Sequence, residues 1–338
     1  AETNIARNLG VDIRYGARAI RLTRQHDRVT GVEVKQAGAT YQINARAVVL
    51  AAGGFQANPE MRARYLGPGW ELAKVRGSRF NTGAGIRMAL DIGAAPYGNW
   101  SGCHAVAWEL NAPEFGDLGI GDMFQKHSYP FSLCVNLNGE RFLDEGADFR
   151  NYTYAKYGRV ILQQPQQTAW QVFDSKVTHL MRDEYRIKQV TRVQADTIEG
   201  LAHTLATEHG MNEKNFLHTV TDYNAAVRED ITFDPTIKDG KKTEGLPLNK
   251  HNWATRLDSP PYEAFGVTCG ITFTFGGLRI IPTGEVLDED LEPIPGLFAA
   301  GELVGGVFYH NYPGGTGLMN GAVFGKIAGA NAANSHKP

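Results

Sequence analysis

The residues best placed to do chemistry lie between Pro295 and Ala333, in PGLFAAGELVGGVFYHNYPGGTGLMNGAVFGKIAGANAA. Glu302 is a single carboxylate at the end of a short apolar run, Gly296-Leu297-Phe298-Ala299-Ala300, which reads as a buried strand too short to be a helix. Gly305, Gly306, Gly314, Gly315 and Gly317 follow, a density that lets backbone come close to something flat or anionic. After Pro313 the apolar Leu318, Met319, Ala322, Val323, Ile327 and Ala328 recur at roughly helical spacing. A glycine-lined helix N-terminus offers unpaired N–H groups and a partial positive charge to an acceptor-rich ligand. Two rivals need no such ligand or a different one. A glycine turn before a packed terminal helix accounts for the same residues. A dinucleotide loop is nearly spelled by Gly315-Thr316-Gly317 and Gly321, but that loop leaves a strand directly and opens a βαβ unit. Here Phe308 to Pro313 separates strand from glycines, and the sequence given ends soon after the helix.

Elsewhere the candidates for anion binding or proton transfer are His104, Arg150, Arg159, Tyr152, Tyr154, Tyr309, His310 and Tyr312. An isolated histidine is more often structural than functional, and Arg150 could equally be a surface partner of Asp148 or Glu145.

The elements that must position these groups alternate along the chain. Residues 1–9 read as the tail of a helix ended by Gly10. Val11 to Tyr15 reads as a short strand. Ala19–Thr23 and Val29–Val34 read as a hairpin, continued by Tyr41–Asn44. Ala47 to Phe55 is an unbroken apolar run, expected as a buried parallel strand. Asn58 to Leu66 is expected as a helix with Pro59 at its first position. Strands are expected at Leu133–Asn136, Ala169–Phe173, Glu263–Thr268 and Leu278–Ile281. Helices are expected at Tyr154–Gln164, Ser175–Asp183, Thr197–Glu208 and Asn212–Glu229. Asp230 to Asn252 reads as a solvated loop, and Val286 to Ile294 as an acidic connection.

At 338 residues the chain can hold two domains and bury a sizeable core. With 34 basic and 36 acidic side chains the net charge is −2, which favours neither nucleic acid nor a membrane surface. No apolar run reaches about 18 residues. Cys103, Cys134 and Cys269 have no metal spacing and no disulfide pattern, and read as buried small residues in a reducing, cytoplasmic setting.

Strand, Ala-Ala-Gly-Glu, Gly-Gly, aromatic loop, Gly-Gly-x-Gly and helix together resemble the C-terminal flavin segment of the fumarate reductase/succinate dehydrogenase flavoprotein family, nearest its tricarballylate dehydrogenase branch. Asn81-Thr82-Gly83-Ala84-Gly85 resembles that family's Thr-Gly-Asp-Gly helix, with Ala84 in place of the acid. Glu140-Arg141-Phe142-Leu143-Asp144-Glu145 resembles its Gly-x-Arg-Phe-x-x-Glu motif. The resemblance implies an α/β fold, the C-terminal part of a Rossmann-like FAD-binding domain with an inserted α+β cap. The flavin domain would be discontinuous, 1–98 and 272–338, with the cap at 99–271. It implies FAD contacts from Ala52, Gly53, Gly54, Thr82, Gly83, Gly301, Glu302, Gly315, Thr316, Gly317 and Leu318. Glu302 would hold the ribityl chain, and the helix N-terminus would face the flavin pyrimidine edge.

It also implies that His104 anchors a substrate carboxylate and that Arg150 handles the proton, although one more residue than usual separates Glu145 from Arg150. Tyr152, Tyr154 and Arg159 stay in contention for that role. Two positions depart from fumarate reductases: Phe273 replaces a catalytic histidine, and Tyr312 a carboxylate-binding arginine. Losing a bidentate arginine argues against plain fumarate or succinate. The implied activity is FAD-dependent dehydrogenation of a C–C bond beside a carboxylate, with tricarballylate to cis-aconitate first. A 3-ketosteroid dehydrogenase is the second expectation, with a tyrosine phenolate as base. The partners implied are a small-molecule carboxylate and an electron-transfer partner for flavin reoxidation, with no metal. The family's N-terminal Gly-x-Gly-x-x-Gly unit is not in the sequence given. A fragment that binds FAD weakly or not at all, and self-associates through its truncated surface, is therefore a third expectation.

Overall fold

The computed structural model describes residues 2–335. Helix α1 (Glu2–Asn8) is followed by Gly10 in the left-handed region at φ 78°, the glycine stop expected there; Ala1 lies outside the described residues. Residues 11–15 form no strand, contrary to expectation. Val11, Asp12, Arg14 and Tyr15 are exposed, so no neighbouring strand or core face holds them extended. Strands β1 (Arg18–Gln25), β2 (Arg28–Gln36) and β3 (Ala39–Asn44) form an antiparallel meander, with Gln25 paired to Arg28 across the first turn.

Strand β4 (Val48–Leu50) is much shorter than the apolar run around it, and Ala51 and Ala52 are exposed. Gly53 at φ 70° turns the chain out of strand geometry, which is what the small residues permit. Helix α2 (Pro59–Met61) is capped by the Asn58 side chain, which accepts the Met61 N–H, and continues as a wider turn through Leu66. Strand β5 (Lys74–Val75), helix α3 (Ala84–Leu90) and strand β6 (Pro96–Tyr97) lead to β7 (Cys103–Glu109), buried along its whole length.

Strand β8 (Leu133–Asn136) precedes helix α4 (Arg150–Leu162), which starts four residues earlier than expected and so carries Arg150 on its first turn. After β9 (Ala169–Phe173) the expected helix at 175–183 is only a single tight turn, Thr178–Leu180. Strand β10 (Arg192–Ala195) is followed by α5 (Ile198–His209) and α6 (Glu213–Ala226), capped by Thr197 and Asn212. The polar stretch to Asn252 lacks long elements as expected, yet it is not fully solvated. Lys241 and Lys250 are buried, with Lys250 Nζ donating to the Ser132 carbonyl at 2.8 Å.

Strand β11 (Tyr262–Thr274) is the spine of the six-stranded sheet and runs six residues beyond its expected end. It pairs antiparallel with β10, β9 and β7 and parallel with β5; β9 continues to β8. Phe265, Val267 and Ile271 are essentially without solvent, and burial of each contributes roughly 1.5–3 kcal/mol. Strands β12 (Gly277–Leu278), β13 (Glu285–Leu287) and β14 (Pro293–Ala299) follow, and β14 lies parallel to β4 with Phe298 opposite Val49. Helix α7 (Thr316–Asn334) closes the described chain. The architecture is mixed α/β, the class expected. Among the described residues no helix is long and apolar enough to cross a membrane.

Candidate active site

Three separate stretches of the chain meet at Glu302. The parallel pairing of β14 with β4 brings the turn after residue 299 beside the turn at 51–54, and β11 ends at Thr274 against both. The Glu302 carboxylate accepts the Thr274 backbone N–H and the side-chain amides of Gln56 and Asn81, each at 3.3 Å. Burial pushes its pKa up to about 7, against the pull of those donors and of the Gly54 amide. Gly54 is required by this approach: a Cβ there would lie 2.3 Å from both Glu302 Oε1 and Thr274 Oγ1. Gly53 is needed twice over, for its positive φ and because a Cβ would meet the Asn81 amide at 2.4 Å.

Thr82 and Gly83 serve this turn from behind. Gly83 N–H donates to the Gly54 carbonyl at 3.0 Å, and the Thr82 carbonyl accepts from Asn58 at 3.1 Å. Gly301 sits at φ 78°, and its carbonyl accepts the Asn320 amide at 3.1 Å, which ties α7 to the Glu302 turn. At the mouth of α7, Gly315 is left-handed and, having no side chain, supplies no cap of its own. The Gly315 and Gly317 amides donate to the Tyr312 hydroxyl oxygen at 3.0 and 3.3 Å, so the hydroxyl proton is left to point elsewhere. The Thr316 hydroxyl is turned back onto the Pro313 carbonyl at 2.6 Å. Leu318 is 78% exposed, and Ala52 is open as well.

A second group of side chains stands beside this cradle. The register of β11 on β7 sets Phe273 opposite His104. Their rings stack at 5.3 Å and 25°, with Tyr312 edge-on to His104 at 4.8 Å and Tyr154 at 5.0 Å. Phe308 packs on both Phe273 and Tyr312. Phe273 and Tyr312 thus form an aromatic wall around one histidine. His104 is 1% exposed and its Nδ1 has no partner among the described residues. Burial, reinforced by the charge of Arg76, pushes its pKa down to about 3, so His104 is a neutral hydrogen-bonding group.

Arg150 faces the far side of Tyr154, its guanidinium 5.5 Å from that ring and its Nη1 3.4 Å from Nδ1 of His127. The surface-pair alternative does not hold: Glu145 is bound by Arg141 at 2.5 Å, and Asp148 by Lys238 at 3.5 Å. Tyr152 is 60% exposed, and Arg159 is spent on the Ser101 carbonyl and the Trp70 ring. His127 and Arg76 were not singled out by sequence. Both sit in stretches without a motif, Gln125-Lys126-His127-Ser128 and Val75-Arg76-Gly77, and only the sheet brings them here. Arg76 is held in a fork by Asp122, at 2.6 Å for the closer contact, and reaches Thr272 at 3.4 Å. Asn81, Gln56 and Thr274, the donors on Glu302, were not assigned to it from the sequence either, because only the fold brings their stretches to that carboxylate.

The cradle has the features a flavin needs. A carboxylate is held against the surface by donors on one side. A floor of small residues is open to solvent, and a helix N-terminus whose first amides are held by the Tyr312 hydroxyl lies at its edge. Gln56 Oε1, buried without a partner beside Glu302, marks unused polar capacity. The aromatic group with neutral His104 and charged Arg76 and Arg150 can bind a carboxylate and exclude water around it.

Comparison with known proteins agrees with that chemistry. The family model described as "FAD binding domain" matches residues 3–318. A "probable fumarate reductase" of Shewanella frigidimarina (strain NCIMB 400) is 34% identical over 341 residues, covering 97% of this chain and 51% of that protein. A 3-oxosteroid 1-dehydrogenase of Mycobacterium tuberculosis is 29% identical over 311 residues, covering 86% of this chain and 53% of that protein. The open conformation of a flavocytochrome c3 fumarate reductase superposes with a TM-score of 0.75 at 31% identity, covering 98% of this chain and 54% of that one. The chain spans about half the length of these relatives.

Proposed function

The chain belongs to the FAD binding domain family, and from that premise we propose that it forms the cap and flavin-edge portion of an FAD-dependent oxidoreductase acting on a C–C bond beside a carboxylate, with tricarballylate to cis-aconitate as the reaction. The observation that carries this is the buried, neutral His104 enclosed by Phe273, Tyr312 and Tyr154 beside the Glu302 cradle, with Arg150 on the Tyr154 ring. Bound FAD would supply a two-electron hydride acceptor. Glu302 would hold its hydroxylated chain, and the Gly315–Leu318 amides would meet its acceptor edge, where negative charge accumulates on reduction, with the Tyr312 hydroxyl giving up the two of them it now holds. His104 would donate one hydrogen bond to a substrate carboxylate. The aromatic wall of Phe273, Tyr312 and Tyr154 would strip water from the bond that reacts.

A guanidinium donates and does not accept, so Arg150 is suited to the proton-giving role in the reductive direction. In the oxidative direction it needs a relay, and His127 is the imidazole within hydrogen-bonding reach. Tyr312 is the competing base. Arg150→Gln should lower turnover of a tricarboxylate by several orders of magnitude in the flavin-loaded protein. Retained turnover would move the proton to Tyr312.

The same reading divides the chain into a flavin part, 1–98 and 272–338, and a cap, 99–271. The β4–β14 pairing supports the first and the strands gathered on β11 the second, although β5 reaches across to β11. It carries with it an electron-transfer partner and a cytoplasmic setting, for which the three free, buried cysteines speak. A 3-ketosteroid dehydrogenase is the second reading. It is favoured by the apolar character of the wall and by likeness to the 3-ketosteroid delta1-dehydrogenase of Sterolibacterium denitrificans, with a TM-score of 0.73 at 26% identity, over 98% of this chain and 62% of that one. Flavin reduction by a steroid and not by a tricarboxylate would select it.

A further inference from the structure

The stretch from Phe308 to Tyr312 is a strap pinned on both sides. Asn99 Nδ2 donates to the Tyr309 carbonyl at 2.7 Å, which fixes the strap to the turn before β7. Asn311 Nδ2 donates to the Tyr152 carbonyl at 2.8 Å, which fixes it to the first turn of α4. The Tyr312 ring is boxed as well, edge-on to Phe273 and to Phe308 at 5.1 Å each and to His104 at 4.8 Å. Its hydroxyl reaches out of this wall to the opening of α7, where the oxygen accepts the Gly315 and Gly317 amides at 3.0 and 3.3 Å. No carbonyl within the helix can take those N–H groups. A hydroxyl oxygen has two lone pairs, so both are in use.

On the other side of that contact the helix start is able to give way. Gly314 and Gly315 join strap to helix, Gly315 lies at φ 86°, and a Cβ there would meet nothing within 4 Å. Leu318 on the first turn is exposed. Asn320 holds the Gly301 carbonyl at 3.1 Å, so a shift of the helix start is confined to its first turn. The junction between a packed wall and α7 is therefore two glycines and one hydroxyl.

The same two amides are among those proposed to meet the acceptor edge of FAD, and one N–H cannot serve two strong acceptors at full strength. We propose that Tyr312 is a positioning residue that sets FAD affinity from the substrate side: its hydroxyl latches the first turn of α7 to the aromatic wall, and FAD binds by taking the Gly315 and Gly317 amides from it. The inference rests on the flavin reading of the Glu302 cradle and deepens it. Cofactor and substrate wall are coupled through one oxygen atom, because the hydroxyl beside His104 is released only when α7 finds another acceptor. A closed latch lowers the apparent affinity for FAD by the fraction of molecules in which it is open.

Tyr312→Phe removes the oxygen and keeps the ring against His104, Phe273 and Phe308. The full chain and this variant are titrated with FAD and followed by flavin fluorescence anisotropy. Exchange of the Gly315 and Gly317 amides with deuterated water is followed by NMR before FAD is added. The variant should bind FAD about tenfold more tightly, the scale of losing two neutral hydrogen bonds, and should exchange both amides faster. A tyrosine that only supports the fold gives the opposite sign, weaker FAD binding in the variant. Equal or weaker binding by the variant, or amides that exchange equally fast in both proteins, would overturn the latch while FAD binding by the parent chain keeps the flavin reading. Absence of FAD binding in both proteins would remove the flavin reading and the latch with it.

Discussion

Replacing Glu302 by Gln should make the protein more stable at alkaline pH while weakening its hold on FAD. Burial raises the carboxyl from an ordinary 4.5 to about 7, so the fold prefers the protonated acid. Below about 4.5 both folded and unfolded chains carry the proton, and there is no penalty. As pH rises from 4.5 through 7 the unfolded chain gives up its proton first, and stability falls. Above 7 the loss is complete and amounts to about 3 kcal/mol. Glutamine mimics the neutral acid, so the variant escapes this loss. Urea unfolding of both proteins at pH 5 and pH 8 reads the difference directly, since all other titrating groups are shared. With a slope of about 3 kcal/mol per molar, the variant's midpoint should gain roughly 1 M relative to the parent on going from pH 5 to pH 8. The same difference at both pH values, or a variant that loses ground at pH 8, would refute the claim that a desolvated carboxylate sits here. A carboxylate kept at such a cost is explained by a ligand whose hydroxyls it accepts.

Gly54→Ala should be worse than its one methyl suggests, because a Cβ 2.3 Å from Glu302 Oε1 and Thr274 Oγ1 must displace both. A loss of about 1–3 kcal/mol in urea unfolding is expected, together with reduced flavin affinity. Arg141→Ala strips the partner from the fully buried Glu145, which also holds the Cys134 N–H at 2.8 Å. Breaking a buried pair from one side costs about 3–5 kcal/mol, and the same measurement would expose a loss below 1 kcal/mol as contrary.

The sequence disclosed what depends on local pattern. The β1–β2 hairpin, the helix starts at Asn58, Thr197 and Asn212, and the helix after Pro313 follow from turn chemistry and period, and each is present. The Glu302 turn and its glycines were legible because a close approach needs Gly54 whatever surrounds it. The long β11 was underestimated: the expected strand stopped at Thr268, and Thr272 to Thr274 continue it. Their extended form depends on pairing with β7, residues 103–109, far away in sequence. His127 was invisible for a like reason: it belongs to no spaced motif, and its place beside Arg150 is a product of the fold and the start of α4. The 175–183 segment shows the opposite error, a helical pattern that forms only a short turn at Thr178–Leu180.

The central claim is that Glu302 and the opening amides of α7 grip an isoalloxazine. Titration of the purified chain with FAD, followed by the visible absorption band and by flavin fluorescence anisotropy, tests it most directly. Saturable binding that perturbs the flavin band and is weakened by Gly54→Ala and Glu302→Gln is the expected result. A chain that leaves the flavin spectrum and anisotropy untouched, or binds it equally well in both variants, would contradict the account.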